Sequence, residues 1–230
     1  MTKIFCDIAD KRLIKIFNKK KIVKGFTTNP SLMRKAGAKD YKSYSKEILK
    51  ITKKPVSCEV FADDEKNMIL QGEQIGKWGQ NVYVKVPVFN SKGKFMGKVI
   101  QKLNKKKIKL NITAVYSSKH TKKILKKVNN KTNVIISIFA GRMADVGKDP
   151  IPEIKKSISM AKKFKNVEIL WASVREPYNF LQAKEIKCNI ITIPPSIIEK
   201  IEKFGKSFNK LATDTVKGFL IDSKKSKFKI

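Results

Sequence analysis

At 230 residues the chain is long enough to bury a full core, and its formal charge of +33 comes from 52 lysines and arginines set against 19 acids. Three cysteines, Cys6, Cys58 and Cys188, and one histidine, His120, exclude a disulfide framework and a dedicated His/Cys metal site, so a reducing, cytoplasmic setting is expected. No run approaches the roughly 18 consecutive apolar residues of a membrane span, and Met1 to Lys20 is patterned as a strand and an amphipathic helix, not as a signal peptide.

Ile4-Phe5-Cys6-Asp7-Ile8 alternates, with Asp7 facing away from its apolar neighbours, and Asp10 then caps a helix to about Asn18. Gly25-Phe26-Thr27-Thr28-Asn29-Pro30-Ser31 reads as a brief strand stopped by Pro30, its polar exit either turn chemistry or a rim of donors and acceptors for a polyhydroxylated substrate. A helix from about Asp40 to Thr52 leads to the strand Val56 to Phe61. There Glu59 shares a face with Ser57, placing an acid where a strand interior is normally apolar. A helix from Asp63 or Asp64 to about Trp78 precedes Asn81-Val82-Tyr83-Val84-Lys85-Val86-Pro87-Val88, whose two-residue period puts the valines on one face and Tyr83, Lys85 and Pro87 on the other. Lys85 is the anomaly of this run. An ammonium in mid-strand either snorkels to water or loses hydration, and the second outcome prepares a nucleophilic amine for Schiff-base chemistry.

Ser91 to Asn104 reads as a helix, and Lys109 to Val115 as a strand with Asn111 and Thr113 on one face. Ser117 or Ser118 caps a basic helix carrying His120, expected at an exposed surface position. Asn133 to Ala140 is a strand with Ser137 and Phe139 facing together, and Gly141-Arg142 ends it. A helix from Asp149-Pro150-Ile151-Pro152 runs to about Phe164, Val167 to Ser173 is the seventh strand, and Asn189 to Ile193 is the eighth. Helices from Ser196 and over about 204–220 follow, then a basic tail, 224–230, expected to fray.

Eight β runs alternating with helical patterns predict a single α/β domain over 1–230, a (β/α)8 barrel with an additional C-terminal helix. In such a barrel the reactive groups gather at the C-terminal ends of the strands. Asp7, Thr27, Asn29, Glu59, Lys85, Thr113, Ser137, Arg142, Ser173 and Arg175 all fall there, and two of them are among only four arginines in the chain. Arginine retained in so lysine-rich a sequence suggests a bidentate fork for phosphate. The remaining lysines are scattered along the chain with no zinc-finger, RNP or basic-zipper pattern. No specific nucleic acid is therefore expected, and codon bias or steering of anionic small substrates is the more economical account of the charge.

These landmarks resemble the transaldolase family, in particular its short subfamily that includes fructose-6-phosphate aldolase. They are Asp7, Gly25 to Ser31, Val84-Lys85-Val86-Pro87, Asn111-Ile112-Thr113-Ala114 and Ala172-Ser173-Val174-Arg175, and the resemblance covers essentially the whole chain. It implies a class I aldolase-type barrel with Lys85 as the Schiff-base residue and no metal or organic cofactor. It implies that Glu59 and Thr113 hold the water that shuttles protons, that Asp7 and Asn29 orient hydroxyls and assist acid/base steps, and that Ser137 contacts the donor. Arg142, Arg175 and Ser173 would hold the distal phosphate. The aldolase branch tends to carry Gln at the position of Glu59 and Tyr at that of Phe139, so this pair points to transaldolase. The resemblance also implies sugar-phosphate substrates and a ring-like homo-oligomer such as a decamer, its C-terminal helix reaching a neighbour.

Overall fold

Eight parallel strands follow one another in chain order and close on themselves: β1 (Lys3–Asp7), β2 (Val23–Thr27), β3 (Val56–Glu59), β4 (Val82–Pro87), β5 (Leu110–Val115), β6 (Val134–Phe139), β7 (Val167–Ala172) and β8 (Ile190–Ile193), which pairs back onto β1. This is a computed structural model, and it describes residues 1–227. Around the barrel lie α1 (Lys11–Lys19), α2 (Pro30–Lys35), α3 (Tyr41–Ile51), α4 (Glu65–Gly76), α5 (Gly97–Lys105), α6 (Ser118–Leu125), α7 (Ala140–Ala144), α8 (Ile151–Ala161), α9 (Tyr178–Glu185) and α10 (Pro195–Ile201), with α11 (Phe208–Ser226) beyond them.

The two-residue period sorts the core into two bodies. Outward residues such as Val82, Val84, Val86, Ile112 and Ile136 pack under the helices in one continuous cluster. Inward residues Phe5, Tyr83, Ile135, Leu170 and Ile190 form a second cluster that plugs the lower half of the barrel. Gly25 in β2 makes room for this plug, since a Cβ there would lie 2.6 Å from the Phe5 ring. Above the plug the inward positions turn polar, and that change of character locates the site.

Helix starts follow the acids and hydroxyls of the sequence. The Asp10 carboxylate accepts from the Arg12 and Leu13 N–H groups at 2.8 and 2.9 Å, Asp40 from Ser43, Asp64 from Asn67, and Ser117 from His120. Several expectations are corrected. Pro30 stops β2 but also opens α2, where its fixed φ suits the first helical position. Residues 91–96 are not helical: Asn90 N–H bonds the Lys94 carbonyl, Gly93 takes φ +74°, and Met96 returns to Val88, so the chain makes a tight hairpin before α5. The final helix starts at Phe208, not near 204, and continues through Ser226. Lys224 and Lys225 are therefore helical, and residues 228–230 of the expected frayed tail lie outside the described residues. His120 is half-buried, its ring edge-on to Phe89 at 4.9 Å, and burial and Lys123 push its pKa below the ordinary histidine value.

Among the described residues no helix is long and apolar enough to cross a membrane. The cysteines are all buried free thiols, and burial pushes Cys58 and Cys188 up to about 12.

Candidate active site

A cavity of about 240 Å³ opens at the C-terminal ends of the strands, lined by Asp7, Thr27, Asn29, Lys85, Asn111, Thr113, Ser137, Phe139, Arg142, Ser173, Arg175 and Thr192 among others. Ten of the eleven residues singled out in the sequence thus meet in one place. Glu59, the eleventh, stands behind Lys85 and does not line the cavity wall. Register explains the gathering: Glu59 pairs with Lys85 and Lys85 with Asn111 across β3, β4 and β5, so three adjacent strands deliver them at one height.

Lys85 is only 7% exposed, and its amine does not snorkel to water. Its Nζ lies 3.1 Å from Glu59 Oε2 and donates to the Thr28 carbonyl at 3.1 Å. Desolvation penalises the ammonium while the carboxylate compensates it. Glu59 is itself fixed from behind, because its N–H donates to the Tyr41 hydroxyl at 2.7 Å, and burial pushes the Tyr41 phenol upward.

Beside this pair runs a chain of amide and hydroxyl groups. Ser137 Oγ donates to Asn111 Oδ1 at 2.6 Å, and Asn111 Nδ2 donates to Ser57 Oγ at 2.9 Å, which fixes the Asn111 amide orientation. Thr113 Oγ1 is buried with no hydrogen-bond partner among the described residues. A hydroxyl so placed suits a polar group brought in by a bound molecule. It sits at a bulge: β5 inserts one extra residue against β6 between Ile112 and Val115, and Ala114 takes φ +57°.

On the opposite wall Thr27 Oγ1 donates to Asp7 Oδ1 at 2.6 Å and lies 2.5 Å from Thr192 Oγ1. Since the single Thr27 proton goes to the carboxylate, the Thr192 hydroxyl donates in turn, making a relay that ends on Asp7. Burial raises the Asp7 pKa above its ordinary value, with the Thr27 hydrogen bond and Lys85 acting against it. Asn29 serves two ends, because its Oδ1 caps α2 by accepting from Leu32 N–H at 2.8 Å while the residue also lines the cavity.

The two arginines stand at the mouth. Arg142, on α7, lies over the Phe139 ring at 5.5 Å. The Arg175 guanidinium grips Asp145 through Nε at 3.0 Å and Nη2 at 2.5 Å, a contact absent from the sequence reading, and this raises its pKa. Ser173 holds a left-handed φ of +64°, and its carbonyl passes so close to Gly141 that a Cβ there would lie 1.6 Å away. A non-glycine residue in this region is strained and is held by its surroundings.

A model of the family described as transaldolase/fructose-6-phosphate aldolase matches residues 4–230. The chain belongs to that family. It is 33% identical over 222 residues to a probable transaldolase of Methanococcus vannielii, covering 96% of each chain. It is 34% identical over 201 residues to one of Nitrosopumilus maritimus, covering 86% of each. Among solved structures it resembles inosine 5'-monophosphate dehydrogenase of Legionella pneumophila, with a TM-score of 0.59 at 13% identity over 84% of this chain and 58% of that one. It also resembles orotidine 5'-monophosphate decarboxylase of Metallosphaera sedula, with a TM-score of 0.57 at 11% identity over 88% and 96%. These likenesses show the barrel alone. The family assignment makes the protein an enzyme of transaldolase type.

Thr192, Asn111 and Tyr41 were missed as site residues. A threonine between isoleucines one residue short of the paired prolines carries the same strand-end signature as Thr27, and Asn111 shares the face of Thr113. Tyr41 opens a helix, and nothing in its spacing tells that its hydroxyl reaches β3.

Proposed function

We propose that this family member is a transaldolase, moving a dihydroxyacetone unit from a ketose phosphate to an aldose phosphate through a Schiff base on Lys85. The observation that carries the reading is the Lys85 amine, buried between the Glu59 carboxylate and the Thr28 carbonyl at the floor of a polar cavity whose mouth holds Arg142 and Arg175. The amine attacks the C2 carbonyl, water leaves, and the protonated imine becomes an electron sink. Asp7, or a water held by Glu59 and Thr113, removes the C4 hydroxyl proton. The C3–C4 pair then flows into the iminium, leaving an enamine and releasing the aldose phosphate. An acceptor aldehyde takes up the enamine by the same steps reversed. The expected exchange is sedoheptulose 7-phosphate and glyceraldehyde 3-phosphate for fructose 6-phosphate and erythrose 4-phosphate.

Thr27, Asn29 and Ser137 orient the donor hydroxyls. Ser173, Arg142 and Arg175 hold the distal phosphate, for which phosphate must displace Asp145 from the Arg175 fork. Glu59 favours transfer over aldol release because a carboxylate can exchange a proton with the bound water, whereas an amide can only position it. Phe139 lacks the hydroxyl that could help release dihydroxyacetone. In solution the reading includes a homo-oligomer, of the decameric kind that the family resemblance implies, with α11 as the arm between subunits.

Borohydride reduction in the presence of fructose 6-phosphate should leave a covalent adduct on Lys85 by peptide mapping. An adduct elsewhere, or none, overturns the nucleophile. Turnover of fructose 6-phosphate should require erythrose 4-phosphate, and rapid release of dihydroxyacetone without it would instead make the protein the aldolase of the family.

A further inference from the structure

We infer that the pole of the barrel opposite the cavity is a docking face for double-stranded nucleic acid, held through its phosphate backbone without sequence readout. The lysines look scattered along the chain, but the fold sorts them. The seven connections that run from a helix into the next strand, 20–22, 52–55, 77–81, 106–109, 126–133, 162–166 and 186–189, all lie at this pole and together hold fifteen lysines and no Asp or Glu. The connections on the cavity rim hold seven acids and five basic residues. Steering of anionic small substrates therefore does not account for the charge, because the positive pole faces away from the site.

Little of this charge is neutralised. Glu73, Glu168, Glu185 and Glu202 border the loops, Glu168 being paired with Lys3, and among the described residues only Lys20, with Glu202, and Lys106, with Glu73, of the fifteen form an ion pair. The lysines also stand on a fixed frame. Asn81 Nδ2 donates to the Thr52 carbonyl at 2.6 Å, Asn166 Nδ2 to those of Thr132 and Asn129 at 2.5 and 2.9 Å, and Lys109 Nζ to that of Gln80 at 2.7 Å, so neighbouring loops are tied together. Between the loops lie four grooves, three of about 570, 510 and 350 Å³ bordered by Lys109 and one of about 360 Å³ bordered by Lys162, Lys165, Lys187 and Glu168.

The character of the face selects the occupant. No large apolar residue is exposed in these seven loops, so nothing there inserts into a bilayer, and stable membrane anchoring needs a second signal beside basic charge. The same lack of exposed aromatics removes the stacking platforms that single strands use. Lysines on loops tied to one another and separated by grooves suit a phosphate backbone, with affinity supplied by counterion release.

The test is anisotropy of a labelled random-sequence DNA duplex of about 20 base pairs with the full-length protein between about 50 and 200 mM salt. Binding in the roughly micromolar range at the low-salt end, falling steeply with salt, is expected. Replacing Lys53, Lys77, Lys107 and Lys131 by Gln should weaken it at least about tenfold and flatten the salt slope by about 3. Replacing the same four by Arg should preserve binding, which separates lost charge from lost fold. Replacing helix-face Lys46, Lys66, Lys98 and Lys155 by Gln removes equal charge and should change affinity less than about threefold. Equal losses from the two Gln sets, no duplex binding, tighter binding of the single strand, or binding of phosphatidylserine vesicles without the duplex would each overturn the inference. The readout involves no turnover, so it stands or falls separately from the transaldolase reading.

Discussion

At Asp7 the demands of stability and chemistry oppose each other. Burial raises its folded pKa, so the ionised carboxylate is disfavoured in the native state. A group with a raised folded pKa contributes most to stability below its unfolded value, and that contribution is lost as pH rises through the folded one. Asp7→Asn keeps an acceptor for the Thr27 hydroxyl without the charge. It should therefore raise Tm at neutral pH and leave Tm nearly unchanged at acidic pH, while turnover falls at least about a hundredfold if Asp7 acts as the base. A neutral-pH Tm that falls with substitution would refute the electrostatic account. A second residue-scale effect concerns Arg175, whose fork a carboxylate already fills. Asp145→Asn should lower KM for phosphorylated donors a few fold, and Arg175→Lys should raise it about tenfold. Neither should alter an unphosphorylated donor, and equal changes on both would remove the phosphate role. Such pairings show what a sequence conceals. The strand-end polar residues were legible because alternation put them on the inner face, whereas Asp145 and Tyr41 come from other elements and meet the site only in three dimensions.

Among the elements, the strands were legible and the short helices were not. β-branched alternation marks β4 and β6 plainly, but α2 and α7, of six and five residues, are too brief to show a helical period. The α7 segment still matters, since it carries Arg142 and packs against the exit of β7 through Gly141. Its backbone approaches the Ser173 carbonyl so closely that no side chain fits there. Gly141→Ala should cost about 3 kcal/mol or more in denaturant unfolding, because the blocking atom is backbone and cannot rotate away. It should also reduce turnover in the fraction that remains folded, since Ser173 and both arginines move with the clash. A variant with wild-type stability would mean that the two segments separate freely.

At the scale of the molecule, α11 is a helix left uncovered among the described residues. Its 19 residues have none buried, and Phe208, Leu211, Thr215 and Phe219 follow one another at helical spacing, Phe208 being 89% and Phe219 68% exposed. Most of a helix's stability in a protein comes from covering its amphipathic face, which is the physical ground for the proposed association of subunits. Each subunit also carries +33, so approach is opposed by charge at low salt. Screening shortens the reach of that repulsion from about 10 Å at 0.1 M salt to about 3 Å at 1 M, while apolar contact survives it. The sedimenting mass should therefore rise with salt, the reverse of the trend expected for duplex binding at the lysine-rich pole. Phe208→Ser with Phe219→Ser should keep the protein at monomer mass across the whole range. A wild-type protein still monomeric at 1 M salt would show that α11 is covered by something other than a second copy of this chain.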